Sequence, residues 1–243
     1  MLGTNPPAKL SEYARPRAII ALVAYKGRLA EAAAFLPGGV VASHGEAPVV
    51  IARGWAARVR QSSCGKVQIL NFLVPGDSLV RGGAGDRWTS GEVMALTPLQ
   101  TVPVTSIAAD GVVSASGLDA FCRSSAADEV NFVLDHAMRL GQQTALERTA
   151  HLLLELAARL TAVRLADNGA FALPINQECM SQALGMSAVH LNRTLQRLKA
   201  DGLISVRGSR MAILRPDRLR RISAYGCEET SALHESPQQA WAS

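Results

Sequence analysis

The feature that most constrains this sequence is a pair of short helical patterns around a glycine, between Asn176 and Ala200. Asn176 and Ser187 each precede one pattern, and both are residue types that cap helix N-termini. Gly185 lies between the patterns, where two helices crossing at about 90–120° need a tight turn. The inward positions are apolar: Met180, Ala183, Leu184, Met186, Leu191, Leu195 and Leu198. The pattern predicts a helix-turn-helix with helices at 177–184 and 188–200.

Basic and polar residues dominate the rest of this segment. Between Leu173 and Tyr225, nine Lys or Arg stand against three Asp or Glu. A polyanion partner and a merely solvated basic surface share this composition, so charge alone does not decide between them. The runs 203–206 and 211–214 flank a turn and predict a two-stranded wing, with Arg207 and Arg210 at its tip, where a neighbouring phosphate would lie. A helix such as 188–200 fits a DNA major groove with its N-terminal residues at base edges.

Upstream, residues 38–105 have the pattern of an all-β unit. Short apolar or alternating runs at 49–52, 55–60, 67–74 and 92–104 are separated by turn residues. Gly65 suits a positive-φ position in the turn at 61–66, and Pro75-Gly76-Asp77 suits a second tight turn.

Beyond Phe121 the sequence becomes helical. Apolar residues recur there at three-four spacing along one seam, and the seam residues are Val130, Val133, Leu134, Ala137 and Met138. The seam either faces the β-unit or pairs with its copy in a second subunit. Gly141 predicts a break, and Thr144 with Glu147 has the form of a capping box that opens a further helix to about Asp167. Asn168-Gly169 is expected to close that helix.

Composition limits the class of protein. The chain has 243 residues, 48% hydrophobic and 19% charged, which excludes a disordered polymer and favours two domains. We expect no membrane span, no secretory signal and a cytoplasmic location. Cys64, Cys122, Cys179 and Cys227 are too widely spaced for a metal clip, so we expect buried reduced thiols and no metal site.

Several of these segments resemble the Crp/Fnr family of transcription regulators. The winged helix of that family is similar to Leu173-Pro174-Ile175-Asn176-Gln177-Glu178, Ala183-Leu184-Gly185-Met186-Ser187, Leu191-Asn192-Arg193-Thr194-Leu195-Gln196-Arg197-Leu198 and Asp201-Gly202-Leu203-Ile204. Its sensor β-roll is similar to Gly54-Trp55-Ala56, Gly65-Lys66-Val67-Gln68-Ile69-Leu70 and Pro75-Gly76-Asp77. The resemblance covers about 38–225 and implies a homodimer that holds two DNA-reading units one helical turn apart on an approximate palindrome.

The effector of the family is not carried over with the fold. Members that bind cyclic AMP follow a Gly-Glu pair with an Arg about ten residues later, but no Arg or Lys lies between Arg87 and Arg123 here. We therefore expect no classical cyclic AMP site, and 92–98 to be ordinary strand. Residues 1–63 contain no cysteine, so we expect no iron-sulfur cluster of the kind that the resemblance would imply. His44 and Cys64 are isolated candidates for a haem ligand, and we expect both in solvated loops.

The second helix of the motif carries the site residues that the resemblance implies. Arg193 matches the family's base-reading Arg, and we expect it to bind guanine. Asn192 is a candidate for adenine, His190 for a base or phosphate, and Ala188 or Val189 for a thymine methyl. The candidate DNA-binding residues together are Asn176, Gln177, Ser187, Ala188, Val189, His190, Asn192, Arg193, Gln196, Arg197, Arg207 and Arg210.

These observations predict an α+β protein: a flexible segment at 1–18, a double-stranded β-roll of jelly-roll type at 19–123, a dimerisation helix at 124–141, a winged helix-turn-helix at 142–225 and a flexible tail at 226–243. The predicted function is a sequence-specific DNA-binding regulator, not an enzyme, with double-stranded DNA, a second copy of the chain and RNA polymerase as partners. The alternatives are a regulator dependent on a cyclic nucleotide or haem, an enzyme with a winged-helix unit, and a module whose winged helix binds protein. Effector and operator, activation or repression, and the role of the tail are left open.

Overall fold

A computed structural model describes residues 32–41, 48–79, 92–109 and 115–223. A β-rich N-terminal unit and a helical C-terminal unit flank a long helix. The predicted segments at 1–18 and 226–243, with His44, lie outside the described residues. No helix in the described ranges is both long and apolar enough to cross a membrane.

The N-terminal unit consists of two facing antiparallel sheets. Its strands are β1 (Ala33–Phe35), β2 (Val49–Arg53), β3 (Ala56–Gln61), β4 (Val67–Leu73), β5 (Ser78–Leu79), β6 (Glu92–Ala95) and β7 (Leu99–Pro103). One sheet has the order β1-β7-β2-β5 and the other β4-β3-β6. Ile51 and Leu99 from the first sheet join Leu73 and Val93 from the second in one buried apolar cluster. This arrangement fits the predicted β-roll and confirms the α+β class.

The run 92–104, predicted as one strand, is divided into β6 and β7 by a bend at residues 96–98. Trp55 causes the interruption, because its carbonyl oxygen accepts the N–H groups of Leu96 and Thr97, and its own N–H donates to Thr97 Oγ1 at 2.8 Å. Gly54 has a φ of +86°, and a Cβ there would lie 2.2 Å from the carbonyl oxygen of Pro98. The bend therefore packs directly on the backbone of residue 54.

The β-unit is followed by α1 (Val104–Ala109) and by the long helix α2 (Ala115–Gln142). The structure begins α2 nine residues before the predicted start at 124, because Gly117, at a cost of about 1 kcal/mol, does not stop a helix near its end. Gly141 also lies inside α2, one residue before its end, so the predicted break falls slightly later. The turns at Gly65 (φ +82°) and Gly76 (φ +92°) are confirmed.

Helix α3 (Ala145–Ala162) begins at the predicted capping box. The Thr144 N–H donates to Glu147 Oε2 at 2.7 Å, and the Glu147 N–H donates to Thr144 Oγ1 at 3.4 Å. The predicted end at about Asp167 is wrong, because α3 stops at Ala162. Asn168 (φ 49°) and Gly169 (φ 76°) form the turn of a hairpin instead of a helix cap. Asn-Gly is also the strongest signal for a two-residue hairpin turn.

The C-terminal unit combines that hairpin with the helix-turn-helix and the wing. Its elements are β8 (Ala166–Asp167), β9 (Ala170–Ala172), α4 (Gln177–Leu184), α5 (Ala188–Ala200), β10 (Ile204–Arg207), β11 (Arg210–Ile213) and α6 (Pro216–Ser223). The wing strands lie within one residue of their predicted positions and extend into a four-stranded sheet of order β10-β11-β9-β8. The sequence analysis did not foresee α6, β8 or β9.

One apolar cluster runs through both units. It includes Trp55 and Phe72 of the β-unit, whose ring centroids are 6.4 Å apart, together with Leu153 of α3 and Leu191 of α5. Leu153 and Leu191 are each 0% exposed. The C-terminal unit is therefore packed against the β-unit and is not suspended from it by a linker.

Candidate nucleic-acid interface

The two helices of the predicted motif are defined by their caps. Asn176 Oδ1 accepts the Cys179 N–H at 2.8 Å and begins α4. Gly185 ends α4 in the left-handed conformation, with φ 58° and ψ 42°. Ser187 Oγ accepts the His190 N–H at 3.2 Å and begins α5. All three local predictions are confirmed.

The inner face of the motif is apolar, as predicted. Met186 in the turn is partly buried, and the other predicted inward residues are buried: Met180, Ala183, Leu184, Leu191, Leu195 and Leu198. Thr194 is also buried, and its hydroxyl donates to the carbonyl oxygen of His190 at 2.9 Å. The sequence analysis missed Thr194, because the hydroxyl is satisfied within the helix and leaves no pattern in the sequence.

The outer face of α5 is fully accessible. Every candidate DNA-binding residue of the sequence analysis is exposed: Asn176, Gln177, Ser187, Ala188, Val189, His190, Asn192, Arg193, Gln196, Arg197, Arg207 and Arg210. Val189, in the first turn of α5, remains 63% exposed although it is apolar. An apolar side chain held in water at the start of this helix is available for contact with another molecule.

Two of the candidate residues touch each other across the motif. Asn192 Nδ2 of α5 donates to Gln177 Oε1 of α4 at 3.2 Å. This bond holds the Asn192 amide in one orientation, although the residues are fifteen positions apart. Asn176 and Ser187 use their side-chain oxygens as caps, so their contribution to a ligand contact is reduced to positioning the two helices.

The wing places two arginines beside each other. Arg207 pairs with Arg210 across the β10–β11 ladder, and Gly208 at the turn has a φ of 58°. Ser209 accepts the Leu173 N–H on its carbonyl oxygen at 2.7 Å, which ties the turn to the segment leading into α4. From α5 to the end of β11, five Lys or Arg stand against the single acid Asp201. This excess of positive charge suits a polyanion.

The long helix α2 has an inverted distribution of polarity. Val130, Leu134 and Met138 are 54%, 58% and 61% exposed, whereas His136 and Arg139 are only 8% and 7% exposed. Of the other predicted seam residues, Ala137 is exposed and Val133 is half-buried at the edge of the seam. Its apolar seam therefore faces away from the β-unit. The alternative in which the seam packs on the β-unit does not hold for these side chains.

The cysteines depart from the prediction of buried thiols. Cys64 is exposed in the β3–β4 turn, because this turn projects away from the sheet, and its thiol lies 3.0 Å from Ser62 Oγ. That hydrogen bond holds the pKa of Cys64 below its usual value. Cys179 is half-buried, and burial raises the pKa of its thiol. No group of three His, Cys, Asp or Glu that could hold a metal ion occurs within the described ranges.

A cation in the β-unit that could neutralise a bound phosphate is already engaged. Arg58 of β3 is buried and forms an ion pair with Glu129 of α2. Burial raises the pKa of Glu129, while the charge of Arg58 opposes that rise. Residues 80–91, including the Gly-Glu pair's glycine, lie outside the described part, but β6 itself begins at Glu92 as ordinary strand, as predicted.

The C-terminal unit matches a known family model. Residues 147–222 match the Crp-like helix-turn-helix domain. The chain is 33% identical over 90 residues to the transcriptional activator protein FnrL of Cereibacter sphaeroides, which is 36% of each protein. It is 26% identical over 162 residues to the nitrogen fixation regulation protein FixK of Bradyrhizobium diazoefficiens, which is 66% of this chain and 67% of that protein. The match to FnrL thus spans little more than a third of that protein's length.

Solved structures share the fold of the whole described chain. The structure of FixK2 from Bradyrhizobium japonicum has a TM-score of 0.64 and 23% identity, and the match covers 79% of this chain and 96% of that one. A CRP-family transcriptional regulator from Thermus thermophilus has a TM-score of 0.58 and 18% identity with the same coverage. The resemblance inferred from the sequence is confirmed. These relatives are named as regulators, which agrees with the prediction of a non-enzymatic protein.

Proposed function

We propose that this chain, which carries a Crp-like helix-turn-helix domain in the fold of the Crp/Fnr transcription regulators, binds double-stranded DNA sequence-specifically as a homodimer and regulates transcription. One observation carries the proposal. Helix α5 buries its leucines and presents an accessible polar and basic face that begins at a capped N-terminus. A helix of this kind fits the major groove, whose base edges distinguish all four base pairs.

The residues of α5 divide between base reading and anchoring. Arg193 reads guanine through a bidentate bond to O6 and N7, and Asn192 reads adenine with its amide already oriented by Gln177. Val189 contacts a thymine methyl, since it is apolar and 63% exposed. Arg207 and Arg210 on the wing bind phosphates and carry no sequence information.

The second copy of the chain covers the apolar seam of α2. Val130, Leu134 and Met138 remain more than half exposed, and an exposed apolar stripe at three-four spacing is typical of a helix that pairs with its copy. Pairing about a two-fold axis places one α5 on each half of a palindromic operator. RNA polymerase is a further partner in this proposal, and the site of action is the cytoplasm, where a bacterial-type regulator meets its DNA.

The β-unit acts as an effector-sensing or degenerate sensor domain whose effector is not cyclic AMP. The stretch from Trp88 to Cys122 contains no Lys or Arg, and Arg58 is paired with Glu129. Placing a cyclic phosphate in the roll would therefore leave a buried anion without a countercharge, which is strongly unfavourable.

A salt titration of variants on two duplexes tests the proposal. Arg193→Ala should lose about 1–3 kcal/mol on the cognate operator and much less on a scrambled duplex. Arg207→Ala should weaken both duplexes alike and reduce the slope of log affinity against log salt by about 0.9. Equal losses on both duplexes for Arg193→Ala would make Arg193 a phosphate contact. Wild-type protein that shows no salt-dependent duplex binding would favour a protein-binding winged helix instead.

A further inference from the structure

A buried ionic cluster lies where the β-unit, α2 and α3 meet. Arg159 of α3 is at its centre and is 4% exposed. Its guanidinium donates to Asn71 Oδ1 at 3.1 Å, to Glu155 Oε1 at 2.9 Å and to the Phe72 carbonyl oxygen at 2.7 Å, and it forms an ion pair with Asp77. A side chain of the C-terminal unit thus satisfies acceptors of the β-unit more than eighty residues away in the chain.

The cluster also includes the long helix. Arg139 of α2 donates to Glu155 Oε2 at 2.7 Å, and the Arg159 guanidinium stacks on the ring of Phe132 of α2 at 4.5 Å. We call Asp77, Arg139, Glu155 and Arg159 the junction cluster. It contains two cations and two anions, each 3–7% exposed, and it contacts all three parts of the described fold.

The charges hold one another in the ionised state. Burial alone would raise the pKa of Glu155, but Arg139 and Arg159 outweigh that effect and lower it. Burial alone would lower the pKa of Arg159, but Asp77 and Glu155 outweigh that effect and raise it. Such a cluster stabilises a fold no better than apolar residues of the same shape, because both charges lose their hydration. What it does supply is a strict geometry, since charged hydrogen bonds tolerate little displacement.

A second polar contact spans the same junction. Gln68 Nε2 of β4 donates to the Gln182 carbonyl oxygen of α4 at 2.6 Å and lies 3.3 Å from His136 Nε2 of α2. Gly185, at the turn of the motif, approaches the same end of α2 so closely that a Cβ would lie 3.0 Å from Leu140 Cδ2. The helix-turn-helix is therefore seated directly on the long helix and the β-unit.

We propose that the junction cluster sets the angle at which each winged-helix unit stands on α2, and thereby the spacing of operator half-sites that the dimer accepts. Arg159 is the positioning residue, because it alone contacts the β-unit, α2 and α3 at once within the described residues. It touches no DNA and acts through the placement of α5. This inference rests on the proposed function, since spacing has meaning only for a dimer that binds a two-part site.

The test varies operator spacing in place of operator sequence. A palindromic duplex selected by the wild-type protein from a random pool is rebuilt with one or two base pairs added or removed between its half-sites. Each base pair changes the separation of the half-sites by about 3.4 Å and rotates one by about 35°. The wild-type dimer should lose at least about tenfold in affinity for one added base pair.

The informative variant removes one cation and one anion together. Arg159→Met with Asp77→Asn leaves the Arg139–Glu155 pair balanced, and an asparagine oxygen can still accept the Val74 N–H that Asp77 accepts at 2.7 Å. We expect it to fold, and to bind duplexes of altered spacing within about threefold of the selected one. The matched control, Arg220→Met with Asp217→Asn, removes an exposed ion pair of α6 by the same substitutions and should keep the wild-type spacing profile.

A double variant that folds and keeps the wild-type spacing profile would overturn the inference. If it does not fold, Arg159→Lys decides, because a lysine can pair with Asp77 but cannot bridge all the acceptors. It should then broaden the spacing profile, and an unchanged profile would again overturn the inference. Wild-type protein without sequence-specific duplex binding would instead contradict the proposed function, so the two failures are distinguishable.

Discussion

Leu134→Glu in the seam of α2 tests the proposed dimer most directly. Leu134 is 58% exposed in the single chain, whereas Val133 lies half-buried at the edge of the seam. Burying a whole leucine contributes about 1.5–3 kcal/mol, so covering the exposed part contributes about 0.9–1.7 kcal/mol per chain and about twice that per dimer. A glutamate adds the cost of desolvating two like charges. The dimer should therefore dissociate about a hundredfold more readily, or more.

Sedimentation equilibrium over a range of concentrations measures this effect. Leu134→Met is the matched control, because it keeps an apolar side chain of similar volume and should leave the dimer intact. Circular dichroism should show unchanged helix content for both variants, since Leu134 contributes little to the fold of the single chain. If Leu134→Glu sediments as the wild type does, the second copy of the chain does not cover the seam and the reasoning fails.

Three further predictions concern the helix motif, the buried histidines and the sensor. Leu191→Ala should lower the free energy of unfolding by about 2–5 kcal/mol, because Leu191 is 0% exposed, while Val189→Ala should leave unfolding unchanged and weaken operator binding; urea titration and a duplex-binding assay separate the two. Burial, with Arg139 nearby, lowers the pKa of both His136 and His151 to about 4, so the unfolded chain binds protons below about pH 6.5 that the folded chain refuses. Stability should fall between pH 6.5 and 4 by up to about 1.4 kcal/mol per pH unit for each histidine, and urea unfolding that is flat over this range would contradict it. Calorimetry with cyclic AMP should show no binding at micromolar concentration, and binding that also raises operator affinity would refute the proposed sensor.

The helix-turn-helix could be predicted because every signal in it is local. Asn176 and Ser187 cap their helices through N–H groups three residues away, and Gly185 takes the left-handed conformation that its position demands. The leucines of α5 recur at helical spacing and are buried together. Neighbouring residues alone fix such features, so they can be inferred from the sequence.

The end of α3 could not be predicted, because one dipeptide fits two structures. Asn168-Gly169 can close a helix in the left-handed conformation or form a hairpin turn, and the sequence analysis chose the first. Pairing of β9 with β11 selects the second, since Met211 lies opposite Phe171 more than thirty residues away. The contact partner, and not the local propensity, decides the structure here.

The junction cluster is beyond sequence reasoning for the same reason. Arg159 and Asp77 are 82 positions apart, and a lone arginine in an apolar helix has no local signal that names its partner. The start of α2 at Ala115 also escapes, because it depends on a helix tolerating a glycine. Both cases show long-range packing or small local energies settling what the pattern leaves open.

The apolar cluster shared by Trp55, Phe72, Leu153 and Leu191 has a consequence for how this protein can be divided. A fragment that began near residue 142 would keep the complete motif but leave part of that cluster open to water, and it should aggregate or melt at low temperature. The intact chain should give one cooperative calorimetric transition and resist release of its C-terminal part by limited proteolysis. The DNA-reading unit is therefore not a portable module: grafting it onto another sensor would require the receiving surface to be redesigned with it.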